Sequence, residues 1–237
     1  MNELTKLYGI GPKLAKQYIK DGINGVKLDL KKPIRAQLKK KSIFPYLPDA
    51  TKADLKWNPS RKIPHAIIAK VDAEFKKYLP GIRFQIAGSY RRNKPFSRDI
   101  DLIISAPSNM TTAEQWDSFL SKMKKSRHVK FVEVFAQGTD KVSTILQYTN
   151  GKKTIIKVDV FFTDPSEYMF MLLYATGSGL FNIRMRAVAK HRGFMLNQRG
   201  LYKKISPTIL HRVPVETEKE LFKILRITYL PPEKRIK

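Results

Sequence analysis

Asp99 and Asp101, one residue apart, stand at the head of the apolar run Leu102-Ile103-Ile104. On an extended strand, residues i and i+2 point to the same side, so both carboxylates would face one point in space. Like charges held that close repel unless a divalent cation sits between them. A third acid, Asp159, lies inside another strand-like run, Ile155-Ile156-Lys157-Val158-Asp159-Val160-Phe161-Phe162. Upstream stands Gly88-Ser89-Tyr90-Arg91-Arg92, a Gly-Ser turn carrying two arginines. Three acids on neighbouring strands beside a basic Gly-Ser loop suit a two-metal site for phosphoryl transfer. Ionised carboxylates near a core need partners. Pairing with Arg91, Arg92 or Lys157 is the alternative, and it leaves the Gly-Ser turn unexplained.

The elements that must position these acids follow from periodicity and breakers. Residues 1–63 read as helical and polar. A short helix near Leu4, the turn Gly9-Ile10-Gly11 and a second helix beginning at Pro12 form a hairpin, with Gly22 as the stop. A helix from Pro64 to Tyr78 carries Ile67, Ile68, Val71 and Phe75 on one face. Strands are expected at Arg83–Ala87, Ile100–Ser105, Val129–Phe135, Val142–Tyr148 and Thr154–Phe162, with Asn150-Gly151 as a hairpin turn. Further helices are expected at Thr112–Lys125, Glu167–Tyr174, Leu180–His191 and Glu218–Arg226, within an otherwise mixed and basic C-terminal portion.

Composition narrows the partner. The chain has 237 residues, 42% hydrophobic, and a formal net charge of +26. That charge is distributed, at about +10 over residues 1–63, +8 over 64–163 and +8 over 164–237. A basic field of this extent implies a long polyanion, with nucleic acid the natural candidate; a generally basic protein or a membrane-surface protein is the alternative. There is no cysteine, which excludes disulfides and thiolate metal sites, and the four histidines are scattered. The N-terminus lacks a signal-peptide pattern and no apolar run approaches 18 residues. A soluble, intracellular monomer is expected, acting in a nucleus or a viral replication compartment and not at a membrane.

The Gly-Ile-Gly turn would expose backbone N–H groups at the start of its second helix. Gly9 and Gly11 allow close approach of a phosphate, and Lys13 and Lys16 add cations. This looks like a helix-hairpin-helix gripping a DNA backbone without reading bases. An ordinary helical hairpin with glycine caps is the other reading. Lys27, Lys31, Lys32, Arg35, Lys39, Lys40 and Lys41 form a second basic cluster, expected on DNA. The run Tyr174-Ala175-Thr176-Gly177-Ser178-Gly179-Leu180-Phe181-Asn182-Ile183-Arg184-Met185-Arg186 is a glycine-containing break between two helices.

Taken in order and spacing, these motifs resemble the family X DNA polymerases over nearly the whole chain. The likeness includes Lys62-Ile63-Pro64, Arg192-Gly193-Phe194-Met195-Leu196-Asn197, Pro214-Val215-Glu216-Thr217-Glu218-Lys219 and Tyr229-Leu230-Pro231-Pro232. The resemblance implies an α+β fold. A nucleotidyltransferase, polymerase β-like palm (64–163) would lie between helical helix-hairpin-helix fingers (1–63) and an α/β thumb (164–237). It implies DNA-directed addition of dNTPs to a primer 3′-hydroxyl, filling short gaps in repair. Template-independent transfer and non-catalytic DNA-end binding are the rivals.

Residue roles follow from the same resemblance. Asp99, Asp101 and Asp159 would hold two Mg²⁺ ions, with Mn²⁺ able to substitute, and Asp159 would help the primer hydroxyl lose its proton. Lys62, Ser89, Arg92 and the backbone of Arg98 would hold the triphosphate. Tyr174 and Gly177 would line the sugar, and Asn182 would touch the base. Lys141, Lys157 and Arg186 would contact DNA. Carbonyls of Thr5, Leu7 and Ile10 would hold Na⁺ or K⁺ against a DNA phosphate. Gapped or primer-template DNA, dNTPs and a DNA ligase are the implied partners. The chain starts where the second domain of such polymerases starts, which implies no lyase activity. Ala175 replaces an aromatic residue, Phe161 and Gln198 replace an arginine–glutamate pair, and Arg98 replaces a glycine, leaving its side chain without an assigned task.

Overall fold

A computed structural model describes residues 2–106, 109–206 and 209–235. Four helices open the chain: α1 (Asn2–Thr5), α2 (Pro12–Asp21), α3 (Ile34–Leu38) and α4 (Asp49–Trp57). They enclose a core of residues such as Leu4, Ile10, Leu38 and Leu55. Gly22 ends α2 with φ +80. Helices α3 and α4 fall within the stretch read as helical and polar, but no periodicity sets their bounds. The first is a five-residue helix, IRAQL, in a lysine- and proline-rich stretch. The second buries Thr51 and Asp54 alongside Ala53 and Leu55, which blurs its apolar stripe.

The central unit is built on α5 (His65–Tyr78) and α7 (Thr112–Met123) packed against a sheet. Its strands are β2 (Phe84–Ile86), β4 (Ile100–Ser105), β5 (Val129–Gln137), β6 (Lys141–Asn150) and β7 (Lys152–Thr163). Their order is β2-β4-β7-β6-β5. Only β4 and β7 run parallel; the remaining neighbours are antiparallel. Gly151, at φ +71, turns the β6–β7 hairpin. A small ladder of β1 (Ile63–Pro64) and β3 (Phe96–Ser97) lies beside the sheet. The Gly-Ser segment, expected as a turn, is a one-turn helix, α6 (Gly88–Arg91). Thr111 caps α7 in a reciprocal box with Glu114.

The C-terminal unit contains α8 (Tyr168–Thr176), α9 (Gly179–His191), an antiparallel sheet of β8 (Phe194–Leu196), β9 (Leu201–Lys204) and β10 (Leu210–Val213), and α10 (Glu218–Ile224). These three short strands account for the mixed C-terminal pattern. Helix α8 is apolar all round because two cores claim it. Met169, Phe170 and Leu173 face the C-terminal core. Tyr168, Met171 and Leu172 pack with Ala87 and Ile103 of the central unit. At the other boundary, Trp57 Nε1 donates to Glu133 at 2.6 Å and Ser60 N–H donates to the Ile155 carbonyl at 2.9 Å. No helix among the described residues is long and apolar enough to cross a membrane.

One ion cluster pins the chain end to the central unit. The Arg235 side chain is fully buried and donates to Glu218 at 2.8 and 3.2 Å. Glu218 also accepts from Arg91 of α6 at 2.7 Å. Burial pushes the Glu218 carboxyl up, but the bonds from Arg235 and Arg91 outweigh it and hold it below the usual carboxylate value. Phe181, Phe222 and Tyr229 surround the Arg235 guanidinium. Arg235→Ala is expected to lower unfolding free energy by about 3 kcal/mol in urea titrations at neutral pH, the lower end for a broken buried pair because Arg91 remains. The deficit should shrink on acidification, because the stabilisation of a carboxylate with depressed pKa is lost as pH falls through the folded value. An unchanged midpoint would contradict this role.

Candidate active site

The parallel pairing of β4 with β7 sets Asp101 directly beside Asp159 in register. Asp99 lies just before β4, on the side of the chain that Asp101 faces. The sequence therefore brings its three acids to one edge, as the i, i+2 spacing requires. Their environments differ. Asp159 accepts from Ser143 Oγ at 2.6 Å and from Lys157 Nζ at 2.6 Å. Lys157 Nζ also lies 3.8 Å from Asp99, and Lys141 Nζ lies 3.8 Å from Asp159. Burial, then repulsion from Asp99 and Asp159, pushes the Asp101 carboxyl up to about 7. Burial likewise raises Asp99, with Lys157 opposing and Asp159 adding to the shift.

Lys157, expected on DNA, is instead 8% exposed and faces the carboxylates. Burial pulls its ammonium down, but Asp159 and Asp99 outweigh that and hold it above its usual value. The alternative of charge pairing is thus realised for Lys157. It is not realised for Arg91, which bonds Glu218 and Thr176. With Asp159 turned to Ser143 and Lys157, no three His, Cys, Asp or Glu side chains close around one point among the described residues. The donor set is all carboxylate oxygen, which fits a hard cation such as Mg²⁺. The elevated Asp101 marks negative charge that one ammonium does not satisfy.

Most of the residues expected at the nucleotide meet in a single cleft of about 520 Å³. Its walls include Ser89 and Arg92 from the Gly-Ser helix, Asp99 and Asp101, and Tyr174, Gly177, Asn182 and Arg186 from the α8–α9 junction. Ser89 Oγ donates to Ser97 Oγ at 2.7 Å. Arg92 donates to the Thr176 carbonyl, while its Nε is buried with no partner among the described residues. Burial lowers the Arg92 guanidinium, partly offset by Asp101. Asn182 Nδ2 donates to the Tyr174 carbonyl at 2.8 Å, and Arg186 lies 5.5 Å from the Tyr174 ring centroid. Gly177, at φ +62, turns the chain between the helices, and Ser178 caps α9. Phe161, Ala175 and Ile183 also line the cleft, with Phe161 and Ala175 packed against the small core of Ala87, Ile103 and α8.

Lys62 and Arg35 fall elsewhere, and the Arg98 side chain, for which only the backbone carries an expectation, reaches the N-terminal unit. Lys62 is exposed and outside the cleft wall, its ammonium 4.7 Å from the Phe96 ring centroid. The Arg98 side chain turns to the N-terminal unit and donates to the Lys6 carbonyl at 3.0 Å, which gives that side chain its task. Arg35, counted in the basic cluster, is half-buried and pairs with buried Asp54 at 2.9 Å. The other six lysines of that cluster are exposed.

In the hairpin, Gly9 has φ +82, and a Cβ there would meet Thr51, Ala50 and Pro48 at 3.0 to 3.3 Å. Gly11 is exposed, caps α2 with no side-chain bond, and has open space around its Cβ position. Lys13 and Lys16 are exposed on α2. Leu7 and Ile10 bury their side chains, and the Leu7 carbonyl accepts the Ile10 N–H at 3.4 Å. Thr5 ends α1. Sequence reasoning missed Ser143, Tyr8 and Arg61. Ser143 becomes visible only through the β6–β7 register that sets it opposite Asp159.

Gly88 has φ +60, and a Cβ there would lie 2.5 Å from Asp101 Oδ2. Gly88→Ala is expected to cost about 1–3 kcal/mol, and less in an Asp101→Ala background where the clash is gone; equal costs in both backgrounds would contradict the contact. Asp101→Asn should raise the melting temperature of the metal-free protein at about pH 8, because the ionised carboxylate costs stability once pH exceeds its folded value. With a folded value of about 7 against 3.8 for an ordinary aspartate, the advantage should fade as pH drops toward 3.8. A lower melting temperature than wild type at about pH 8 would contradict it.

Comparison with known proteins agrees with this geometry. The family model described as DNA polymerase beta palm matches residues 61–165, and that described as DNA polymerase beta thumb matches residues 171–236. Repair DNA polymerase X of African swine fever virus is 30% identical over 149 residues, covering 63% of this chain and 79% of that protein. DNA polymerase lambda of Arabidopsis thaliana is 26% identical over 171 residues, 66% of this chain and 32% of that protein. DNA nucleotidylexotransferase of Gallus gallus is 25% identical over 266 aligned positions, covering 98% of this chain and 50% of that protein. The chain thus spans about a third to a half of the longer relatives. The crystal structure of Leishmania infantum polymerase beta in a ternary P/T complex superposes with a TM-score of 0.79 at 23% identity, covering 100% of this chain and 97% of that one. The chain belongs to the family X DNA polymerases, with the palm and thumb of DNA polymerase beta.

Proposed function

We propose that the chain is a DNA-directed DNA polymerase that adds dNTPs to a primer 3′-hydroxyl in short gaps, as in repair. The observation that carries this reading is the convergence of Asp99 and Asp101 with Ser89, Arg92, Tyr174, Gly177 and Asn182 on one cleft, with Asp159 in register with Asp101. Asp99, Asp101 and Asp159 would hold Mg²⁺, or Mn²⁺ in its place, which supplies charge neutralisation at the reacting phosphates. Ser89 and the unpartnered Nε of Arg92 would hold the triphosphate, and Lys62 would swing from the Phe96 ring to join them. Tyr174 and Gly177 would line the sugar, and Asn182 would exchange its bond to the Tyr174 carbonyl for one to the base. Arg186 and Lys141 would meet DNA.

Lys157 must leave Asp159 for the reaction to proceed. Asp159 then accepts the proton of the primer hydroxyl. The freed oxygen attacks the α-phosphorus in line as the bond to the pyrophosphate oxygen breaks. The exposed Gly11, Lys13 and Lys16 would grip a DNA phosphate at the start of α2. Carbonyls of Thr5, Leu7 and Ile10 would seat Na⁺ or K⁺ there.

A second reading, template-independent transfer, is favoured by the likeness to the nucleotidylexotransferase across 98% of this chain. Primer extension on a one-nucleotide-gapped duplex with Mg²⁺, each dNTP offered singly, separates the two. The template-matched nucleotide should be inserted, and Asp159→Ala should lower the rate by roughly 10²–10⁴-fold, the usual range for loss of a positioned proton acceptor. Extension indifferent to the template base would favour the second reading. No extension despite tight DNA binding would overturn both.

A further inference from the structure

Between the hairpin and the catalytic edge lies a contact set centred on Tyr8, a residue that the proposed reaction does not use. Tyr8 sits in the turn just before Gly9 and is 8% exposed. Its backbone is held from the N-terminal unit: its N–H donates to Asp54 at 2.8 Å, and its carbonyl accepts from Thr51 Oγ1 at 2.7 Å. Its side chain points the other way. The hydroxyl donates to the carbonyl of Arg98 at 2.8 Å. Arg98 immediately precedes Asp99. The link is reciprocal, since the Arg98 guanidinium donates to the Lys6 carbonyl at 3.0 Å.

Three cations surround the Tyr8 ring. Arg61 lies 3.8 Å from its centroid, Arg98 5.0 Å and Lys157 5.1 Å. Arg61 also bonds buried Asp54, which fixes the ring from behind. Lys157 is the ammonium that bonds Asp159 and approaches Asp99. A cation held between a ring face and carboxylates is confined by both. Tyr8 therefore touches the backbone beside one catalytic acid and the counter-ion of another.

We infer that Tyr8 and Arg98 form a clamp joining the Gly-Ile-Gly hairpin to the catalytic edge, with Tyr8 a positioning residue that sets Asp99 and Lys157 for metal entry. The inference rests on the polymerase reading above. A segment that grips DNA is thereby tied, through one side chain each way, to the groups that must rearrange before reaction. The clamp also gives Arg98, unexplained by sequence, a partner on the far side of the boundary.

Tyr8→Phe keeps the ring and its cation contacts but removes the hydroxyl bond. Three quantities are measured. The first is DNA affinity by fluorescence anisotropy. The second is the Mg²⁺ midpoint from the metal-induced rise in melting temperature of the DNA-free protein. The third is the single-turnover insertion rate on gapped DNA. The Mg²⁺ midpoint should rise about threefold or more and the rate fall about fivefold or more, with DNA affinity within about twofold of wild type. Arg98→Met should act in the same direction, and the double variant should be no worse than the poorer single, because the two residues act as one unit.

A wild-type metal midpoint in Tyr8→Phe, a loss confined to DNA affinity, or multiplicative effects in the double variant would overturn the clamp. If Tyr8→Phe does not fold, Arg98→Met carries the same three readouts. If the wild-type chain inserts no nucleotide, the polymerase reading fails, while the metal midpoint still decides the clamp.

Discussion

Mutual repulsion among Asp99, Asp101 and Asp159 is the constraint around which this structure is arranged. The parallel β4–β7 pair forces two of the carboxylates side by side. Lys157 answers the charge in part, with its ammonium on Asp159 and near Asp99. Asp101 is left with a folded value of about 7, far above an ordinary aspartate, because neither water nor an ammonium fully compensates it. A protein that holds such an edge carries a destabilising charge, and the metal binding proposed above would relieve it. Lys157, paired with Asp159, makes that edge tolerable in the absence of a cation.

The rest of the molecule holds that edge in place and brings the wall of the cleft to it. Gly88 allows α6 to pass so close to Asp101 that no side chain fits between them. From the same helix, Arg91 reaches Glu218 and Thr176, so the wall bearing Ser89 and Arg92 is tied to α8 and α10. Helix α8 buries residues in both the central and C-terminal cores. Motion of the C-terminal unit would therefore be felt at Gly177 and at the Gly-Ser helix together. The N-terminal unit is bound at the opposite side through Tyr8, Arg98 and Glu133. Exposed lysines on α2 and after it face outward from this frame, suited to sequence-independent phosphate contacts.

Much of this was legible in the residues. The Asp-x-Asp spacing, the apolar run behind it and the β-branched stretch around Asp159 encode strand and facing together, and Ile100–Ser105 forms as expected. The Gly-Ile-Gly and Gly177 breaks are visible because glycine permits positive φ. What was not legible depends on register and on distant partners. Ser143 reaches Asp159 only through strand pairing. Lys157 shares a face with Asp159 by the same i, i+2 rule that located the acids, yet its choice of carboxylate over DNA is set by burial. Arg98 and Tyr8 are 90 residues apart in sequence, and no local pattern links them. The short strands β8 to β10 are too brief to print a periodicity.

The most direct measurement is a crystal structure with gapped DNA, a non-hydrolysable dNTP and Mn²⁺, using anomalous scattering to locate the metal. Anomalous density bounded by Asp99, Asp101 and Asp159, with Lys157 withdrawn from Asp159 and the triphosphate against Ser89 and Arg92, is the expected result. Nucleotide bound in the cleft with Lys157 still on Asp159 and no metal among the three acids would contradict it.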